Sequence, residues 1–205
     1  MRAPKQGTEI RKSQIARAVL DQIASHGMKG LNMAAVAHRV GVVPSALYRH
    51  FRSKEEMLQA VFEQIGEGLE RNVQAVCDEN PDALERLHAL LMLNVRMVRE
   101  FHAIPRIMFA EGAYSESSRR KARVYEVIRK YLARVGAIVE EGQKAGRIRP
   151  ELDPSTVATA YWGLIPPATV LWYVSEGRFD VGRQVERAWR LLLDAIEVRS
   201  AGGRA

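Results

Sequence analysis

Ten bases fall between Met1 and Lys54, namely Arg2, Lys5, Arg11, Lys12, Arg17, Lys29, Arg39, Arg49, Arg52 and Lys54, against only Glu9 and Asp21. The chain of 205 residues carries +7, so this N-terminal quarter holds +8 and the remaining 151 residues sum to −1. Charge sorted in this way suits the recognition of a polyanion, with counterions released from phosphates as the driving force. A solvated basic face is the competing reading, and charge alone does not separate the two. Residues for bond-making chemistry are assembled nowhere. The sequence has no Gly-x-Ser-x-Gly, no phosphate loop and no His-Glu-x-x-His, which argues against an enzyme. Its five histidines (His26, His38, His50, His88, His102) show neither His-x3-His nor Cys-x2-Cys spacing, so no metal or other cofactor is expected. The single Cys77 cannot make an internal disulfide; following Val73 and Val76 on an apolar face, it reads as a packed thiol in a reducing compartment.

The elements that must position the basic residues are helical. Apolar residues recur at i, i+3 and i+4 almost throughout, without sustained period-2 alternation, so the expected fold class is all-α. Hydrophobic residues make up 47% and charged residues 27%, as in a globular protein with a real core. No signal-like opening and no run of about 18 apolar residues occur, so a cytoplasmic location is expected.

Helix breakers divide the chain into nine helices. The first spans about 8–26 with Ile15, Val19 and Ile23 on one stripe, and Gly27 and Gly30 end it. Asn32 caps a second helix, 33–39, which Gly41 breaks, and Pro44 opens a third, from 44 to 50 or 51, with Leu47 and Phe51 facing inward. Ser53 and Glu56 form a capping box at the start of a long fourth helix whose apolar register runs from Met57 to Val76. Asn80-Pro81-Asp82 separates it from a very apolar fifth helix reaching about 103. A sixth follows at 105–112, a seventh at about 115–145, an eighth at about 154–175 and a ninth at about 181–198. Pro166-Pro167 in the middle of the eighth requires a kink or a split, because each proline removes a helical hydrogen bond at a cost of about 3 kcal/mol.

Two short helices across a tight glycine turn are what placing a helix in the major groove requires. Ala37, Gly41 and Leu47 have the spacing of that motif, and the whole segment 31–58 is far more specific than the trio. With its run Gly-Val-x-x-x-x-Leu-Tyr-x-His-Phe-x-x-Lys at Gly41 to Lys54, it resembles the DNA-binding head of the TetR (tetracycline-repressor) family of transcriptional regulators. The likeness is one of motif over about 10–61, and one of helix count and order beyond. It implies a nine-helix TetR-like fold, with a helix-turn-helix DNA-binding domain at 8–54, a connecting helix at 54–78 and a ligand-binding and dimerisation domain at 79–200.

In the family the residues here numbered Tyr48, His50 and Lys54 hold phosphates, which fits donors clustered at helix ends. Base reading falls to Val43, Pro44, Ser45 and Arg49 on the third helix, with Arg49 the first candidate for guanine, and Asn32 is a further DNA contact. Each has a plainer reading: Tyr48 as a half-buried packing residue, Arg49 as a phosphate contact, Asn32 as a cap that does not touch DNA. Val43 stands where Ser or Thr is common in the family, and Pro44 and Ser45 replace its frequent Lys or Arg and Gly, so the operator sequence does not carry over.

The resemblance further implies a body in which the fifth to seventh helices enclose a small molecule and the last two pair with a second subunit. Candidate effector contacts are Met92, Arg96, Phe101, His102, Met108, Phe109, Tyr125, Trp162 and Trp172, each with core packing as its alternative. Val181, Val185, Ala188, Trp189, Leu192 and Ile196 form a stripe expected to build a homodimer, with packing inside one chain as the competing reading. The expected partners are double-stranded DNA with a palindromic operator, a small effector and a second copy of the chain, with no membrane. Effector binding to a state with mis-spaced heads would move the fourth helix, softened by Gly66 and Gly68, and release a repressor. Alternatives are a ligand-independent, nucleoid-type DNA-binding protein of the same fold and, further off, a helical enzyme or a small-molecule-binding protein that leaves DNA alone.

Overall fold

The computed structural model describes residues 5–27, 30–49, 51–100 and 118–198. Among these residues the chain forms nine α-helices: α1 (Lys5–His26), α2 (Met33–Arg39), α3 (Pro44–Tyr48), α4 (Lys54–Glu79), α5 (Ala83–Glu100), α6 (Ser118–Lys144), α7 (Pro154–Trp162), α8 (Ile165–Val174) and α9 (Val181–Ile196). Extended pairing among them is limited to one antiparallel bridge between Ile148 and Glu197. The all-α expectation holds. The helix expected at 105–112 lies outside the described residues.

The helix expected over 154–175 is two helices. α7 ends at Trp162, where the Gly163 and Leu164 N–H groups close on the carbonyls of Thr159 and Tyr161 at 3.0 and 3.1 Å, and α8 begins at Ile165. Pro166 and Pro167 thus occupy the first turn of α8, where a missing N–H costs nothing. The break falls just before the prolines, in the geometry that removes their penalty.

Contacts divide the chain into two compact units, one of Met1–Gly68 with Val98–Ile128 and the other of Leu69–Met97 with Arg129–Ala205. In the first, Ile15, Val19 and Ile23 of α1 meet Val36, Ala37, Leu47, Phe51, Met57 and Val61 in one buried cluster. On the same unit Gly66 approaches Val127, whose methyl carbon stands 3.3 Å from where a Cβ would lie, and Arg123 reaches Glu63 at 3.5 Å. The second unit packs Leu87, Leu90 and Leu91 of α5 against Val135, Ile138 and Val139 of α6 and Val181, Val185 and Trp189 of α9. Gly142 makes one close approach possible: a Cβ there would lie 2.7 Å from Ile148 Cδ1 and 2.9 Å from Ala83 Cβ. Cys77 is half-buried and packs against this core, as read from its helical face.

Helix ends in the second unit are tied by polar groups. Asp82 Oδ1 caps α5, accepting from the N–H groups of Leu84 and Glu85 at 2.9 and 3.1 Å, while its Oδ2 accepts from Arg147 Nε at 2.6 Å. Burial raises the Asp82 carboxyl, but the backbone N–H of Glu85 and the Arg147 guanidinium outweigh it and hold Asp82 below the usual carboxylate range. The Arg149 N–H donates to the Ile196 carbonyl at 2.9 Å and that of Val198 to the Arg147 carbonyl at 3.1 Å, which fastens the end of α9.

Candidate nucleic-acid interface

Local rules set α2 and α3. Asn32, extended at φ −131°, accepts the Ala34 N–H at its Oδ1 at 2.8 Å and so starts α2. At the other end Gly41 takes φ +70°; the Val42 N–H reaches the Ala37 carbonyl at 3.0 Å and the Gly41 N–H that of His38 at 3.1 Å. This double closure needs a left-handed residue, which glycine supplies without strain. The chain then re-enters a helix at Val43, extended and without a side-chain cap, with Pro44 in the first turn. The Phe51 N–H donates to the Leu47 carbonyl at 2.9 Å. Ser53 Oγ accepts the Glu56 N–H at 3.2 Å, and Glu56 Oε2 accepts that of Arg52 at 2.7 Å. The expected capping box is therefore present, with the return bond one residue earlier than the usual pattern.

The outcome is a helix with two unlike faces. Leu47 and Phe51 are buried, as are Val36 and Ala37 beneath them, whereas Val43, Pro44, Ser45, Tyr48, Arg49 and Lys54 are all exposed. Val43 is 63% exposed and Tyr48 52%, so neither is held by the core. A phenol, a guanidinium and an ammonium thus stand at the surface around the ends of α3 and the start of α4, beside backbone N–H groups that favour an anion. His50 lies outside the described residues. Asn32 is exposed, but its oxygen is committed to the cap, which leaves only its amide N–H groups for another partner. Arg39 is paired, its guanidinium lying 2.9 Å from Asp21, so the surplus of the head, in which Asp21 is already counted, is carried by its other bases.

The described residues among those expected at an effector site fall in both units. Met92, Trp162 and Trp172 are half-buried against the core of the second unit. Arg96 is exposed, and Tyr125 is 69% exposed in the first unit. Phe101, His102, Met108 and Phe109 lie outside the described residues.

The expected dimer stripe packs largely within its own unit. Val181, Val185, Trp189 and Ile196 are buried in the core of their own unit, and Ala188 and Leu192 are half-buried. Trp189 stacks on His88 at 5.8 Å and meets Tyr161 edge-on at 6.2 Å. An amphipathic helix turns its apolar face to the nearest apolar surface, and that surface is supplied here by α5 and α7 of the same chain. Exposed apolar side chains of the last two helices are others: Leu171 and Val174 on α8 and Leu191, 74% exposed, on α9.

Sequence reasoning missed a buried polar chain. Asn94 and Tyr131 are buried within the Leu- and Val-rich core, and Asn94 accepts from Asn72 at 3.0 Å and donates to the Tyr131 hydroxyl at 2.7 Å. Burial raises the Tyr131 and Tyr161 hydroxyls well above their ordinary range, so both stay neutral. The visible signal was Asn94 itself, the one amide inside the apolar run from Leu87 to Val98.

Residues 15–61 match the bacterial regulatory proteins of the tetR family, and residues 79–196 the tetracyclin repressor-like C-terminal domain. The chain belongs to the tetR family. As a tetR-family protein it is a DNA-binding transcriptional regulator, and the exposed α3 surface is the part of it that the helix-turn-helix likeness assigns to DNA. Among its relatives, the nucleoid occlusion factor SlmA of Aliivibrio fischeri is 25% identical over 189 residues, covering 91% of this chain and 96% of that one. The regulator FadR of Bacillus subtilis, solved in complex with stearoyl-CoA, superposes with a TM-score of 0.77 at 23% identity, over 90% of this chain and 98% of that one. A regulator from Saccharomonospora viridis, solved in complex with choline, gives 0.79 at 17% identity, over 93% and 100% of the two chains. These two likenesses establish the fold. No helix among the described residues is long and apolar enough to cross a membrane.

Proposed function

We propose that this tetR-family regulator is a homodimeric repressor that grips a palindromic operator with two copies of α3 and is released by a small, largely apolar effector. The observation that carries the reading is the polarity of α3: Leu47 inward at full burial, Val43, Pro44, Ser45 and Arg49 outward. In this assignment Arg49 reads a guanine, Val43, Pro44 and Ser45 touch base edges, and Tyr48, His50, Lys54 and the Asn32 amide hold phosphates. Two such helices related by a two-fold axis fit half-sites about one turn of DNA apart. The second copy docks on the exposed apolar surface of α8 and α9, through Leu171, Val174 and Leu191, because the earlier candidate stripe is already covered. Met92, Trp162 and Trp172 of the second unit remain effector candidates, and Phe101, His102, Met108 and Phe109 are retained as candidates from the sequence alone.

Similar structures hold ligands as unlike as stearoyl-CoA and choline, so the fold by itself does not fix the effector. The apolar character of Met92, Trp162 and Trp172, with the likeness to the regulator solved with stearoyl-CoA, makes a long-chain acyl-CoA the first compound to try. Gel-shift titration of an operator complex with acyl-CoAs of increasing chain length tests this; the expected result is release by one length class at micromolar concentration. The likeness to the nucleoid occlusion factor supports a second reading, DNA binding without an effector. Operator affinity unchanged by every compound shown to bind the protein would favour it.

A further inference from the structure

The buried polar chain of the second unit runs in one direction. Asn72 Nδ2 donates to Asn94 Oδ1 at 3.0 Å, and Asn94 Nδ2 donates to the Tyr131 hydroxyl at 2.7 Å. Tyr161, in the same core, donates to the Leu87 carbonyl at 2.7 Å. The chain from Asn72 to Tyr131 therefore joins α4, α5 and α6. The Asn94 amide offers one group to each neighbour, its Oδ1 to Asn72 and its N–H to the Tyr131 hydroxyl, so both of its ends are satisfied in this setting.

Around it the packing is Leu, Val and Ile, which holds helices together without dictating the rotation of each about its own axis. Two further polar ties of this part of α4 run to Arg134, from Glu70 at 3.1 Å and Gln74 at 3.5 Å, and lie at the exposed surface, where ion pairs contribute little. A buried amide pair is a poor source of net stability compared with well-packed leucines, but it selects one geometry.

We propose that Asn72 and Asn94 are positioning residues for DNA binding, forming a polar latch that fixes the rotational setting of α4 against α5. α4 runs unbroken from Lys54, a proposed phosphate contact, to Glu79, so one helix carries both Lys54 and Asn72. The inference rests on the regulatory reading above.

The test uses the full-length protein and three variants, Asn72→Leu, Asn94→Leu and the double substitution, with thermal unfolding, affinity for the selected operator, and amide exchange over residues 69–79 measured on each. Asn72 sits at the half-buried end of the chain, so Asn72→Leu remains informative even if Asn94→Leu does not fold. The expected outcome is an unfolding temperature close to wild type for Asn72→Leu, an operator affinity weakened about three- to thirty-fold, and faster exchange in the second half of α4. The double variant is expected to be no weaker than the weaker single one, because both break the same link. Variants that melt earlier yet bind the operator as tightly as wild type once folded would overturn the proposal. A wild-type protein that selects no DNA sinks the regulatory reading instead. Exchange then decides the latch: faster exchange in Asn72→Leu upholds it, and unchanged exchange removes it.

Discussion

The Val42 N–H lies 3.0 Å from the Ala37 carbonyl, a bond that closes α2 on itself and points the chain into α3. It forms only because Gly41 between them sits at φ +70°. A Cβ at Gly41 would meet nothing within 4 Å, so conformation rather than space demands the glycine. Gly41→Ala is expected to destabilise the first unit by about 1 to 2 kcal/mol, the cost of a left-handed alanine, and to weaken operator binding with it. Urea unfolding checks the first part. An unchanged midpoint would mean that the turn relaxes into another form.

The dimer surface proposed on α8 and α9 separates two kinds of substitution. Leu191→Glu or Val174→Glu places a charge on an exposed apolar position and is expected to give a folded monomer in analytical ultracentrifugation. Trp189→Ala, by contrast, removes a buried ring and is expected to cost about 3 to 5 kcal/mol of stability. A folded monomer from Trp189→Ala and an intact dimer from both Glu variants would restore the stripe read from sequence.

Phosphate contacts have their own signature. Lys54→Ala is expected to weaken binding to all DNA sequences alike and to reduce the slope of log affinity against log salt by about 1. Filter binding at several salt concentrations measures it, and an unchanged slope would place Lys54 away from the backbone.

Acid should loosen α7. Asp153 accepts from the Ser155 hydroxyl at 2.6 Å, the Thr156 hydroxyl at 2.7 Å and the Thr156 N–H at 2.8 Å, which hold its carboxyl at about 2, below the ordinary 3.8. A lowered folded-state value means that the contribution is fully present above the unfolded value and is lost as pH falls through the folded one. The wild-type advantage over Asp153→Ala in urea midpoint should therefore be constant above about pH 5 and shrink towards about pH 2. A difference that is the same at both ends would show that the carboxylate charge does not contribute.

How much of this was legible in the sequence depended on the range of the forces involved. Local rules are written in neighbouring residues, so Asn32, Gly41, Pro44 and the Ser53–Glu56 box marked the head correctly, and the prolines at 166 and 167 announced a break. Its place, at Gly163 and Leu164, was less visible, because the prolines alone do not say on which side the helix yields. Periodicity showed that α9 has an apolar face but not what that face meets, since Val185 and Trp189 look the same whether they cover α5 or a second subunit. Asn94 needed two partners, Asn72 and Tyr131, that lie 22 and 37 residues away, and no local pattern connects them.

Selection of bound fragments from genomic DNA at physiological salt, with wild type and Arg49→Ala in parallel, shows whether the outer face of α3 reads DNA sequence. Wild type should enrich a palindrome with half-sites about one helical turn apart. Arg49→Ala should keep its affinity for bulk DNA while losing about 1 to 3 kcal/mol of discrimination at one guanine in each half-site. If wild type enriches no common site, or if both proteins enrich the same site equally well, α3 is not the reading surface and the account fails.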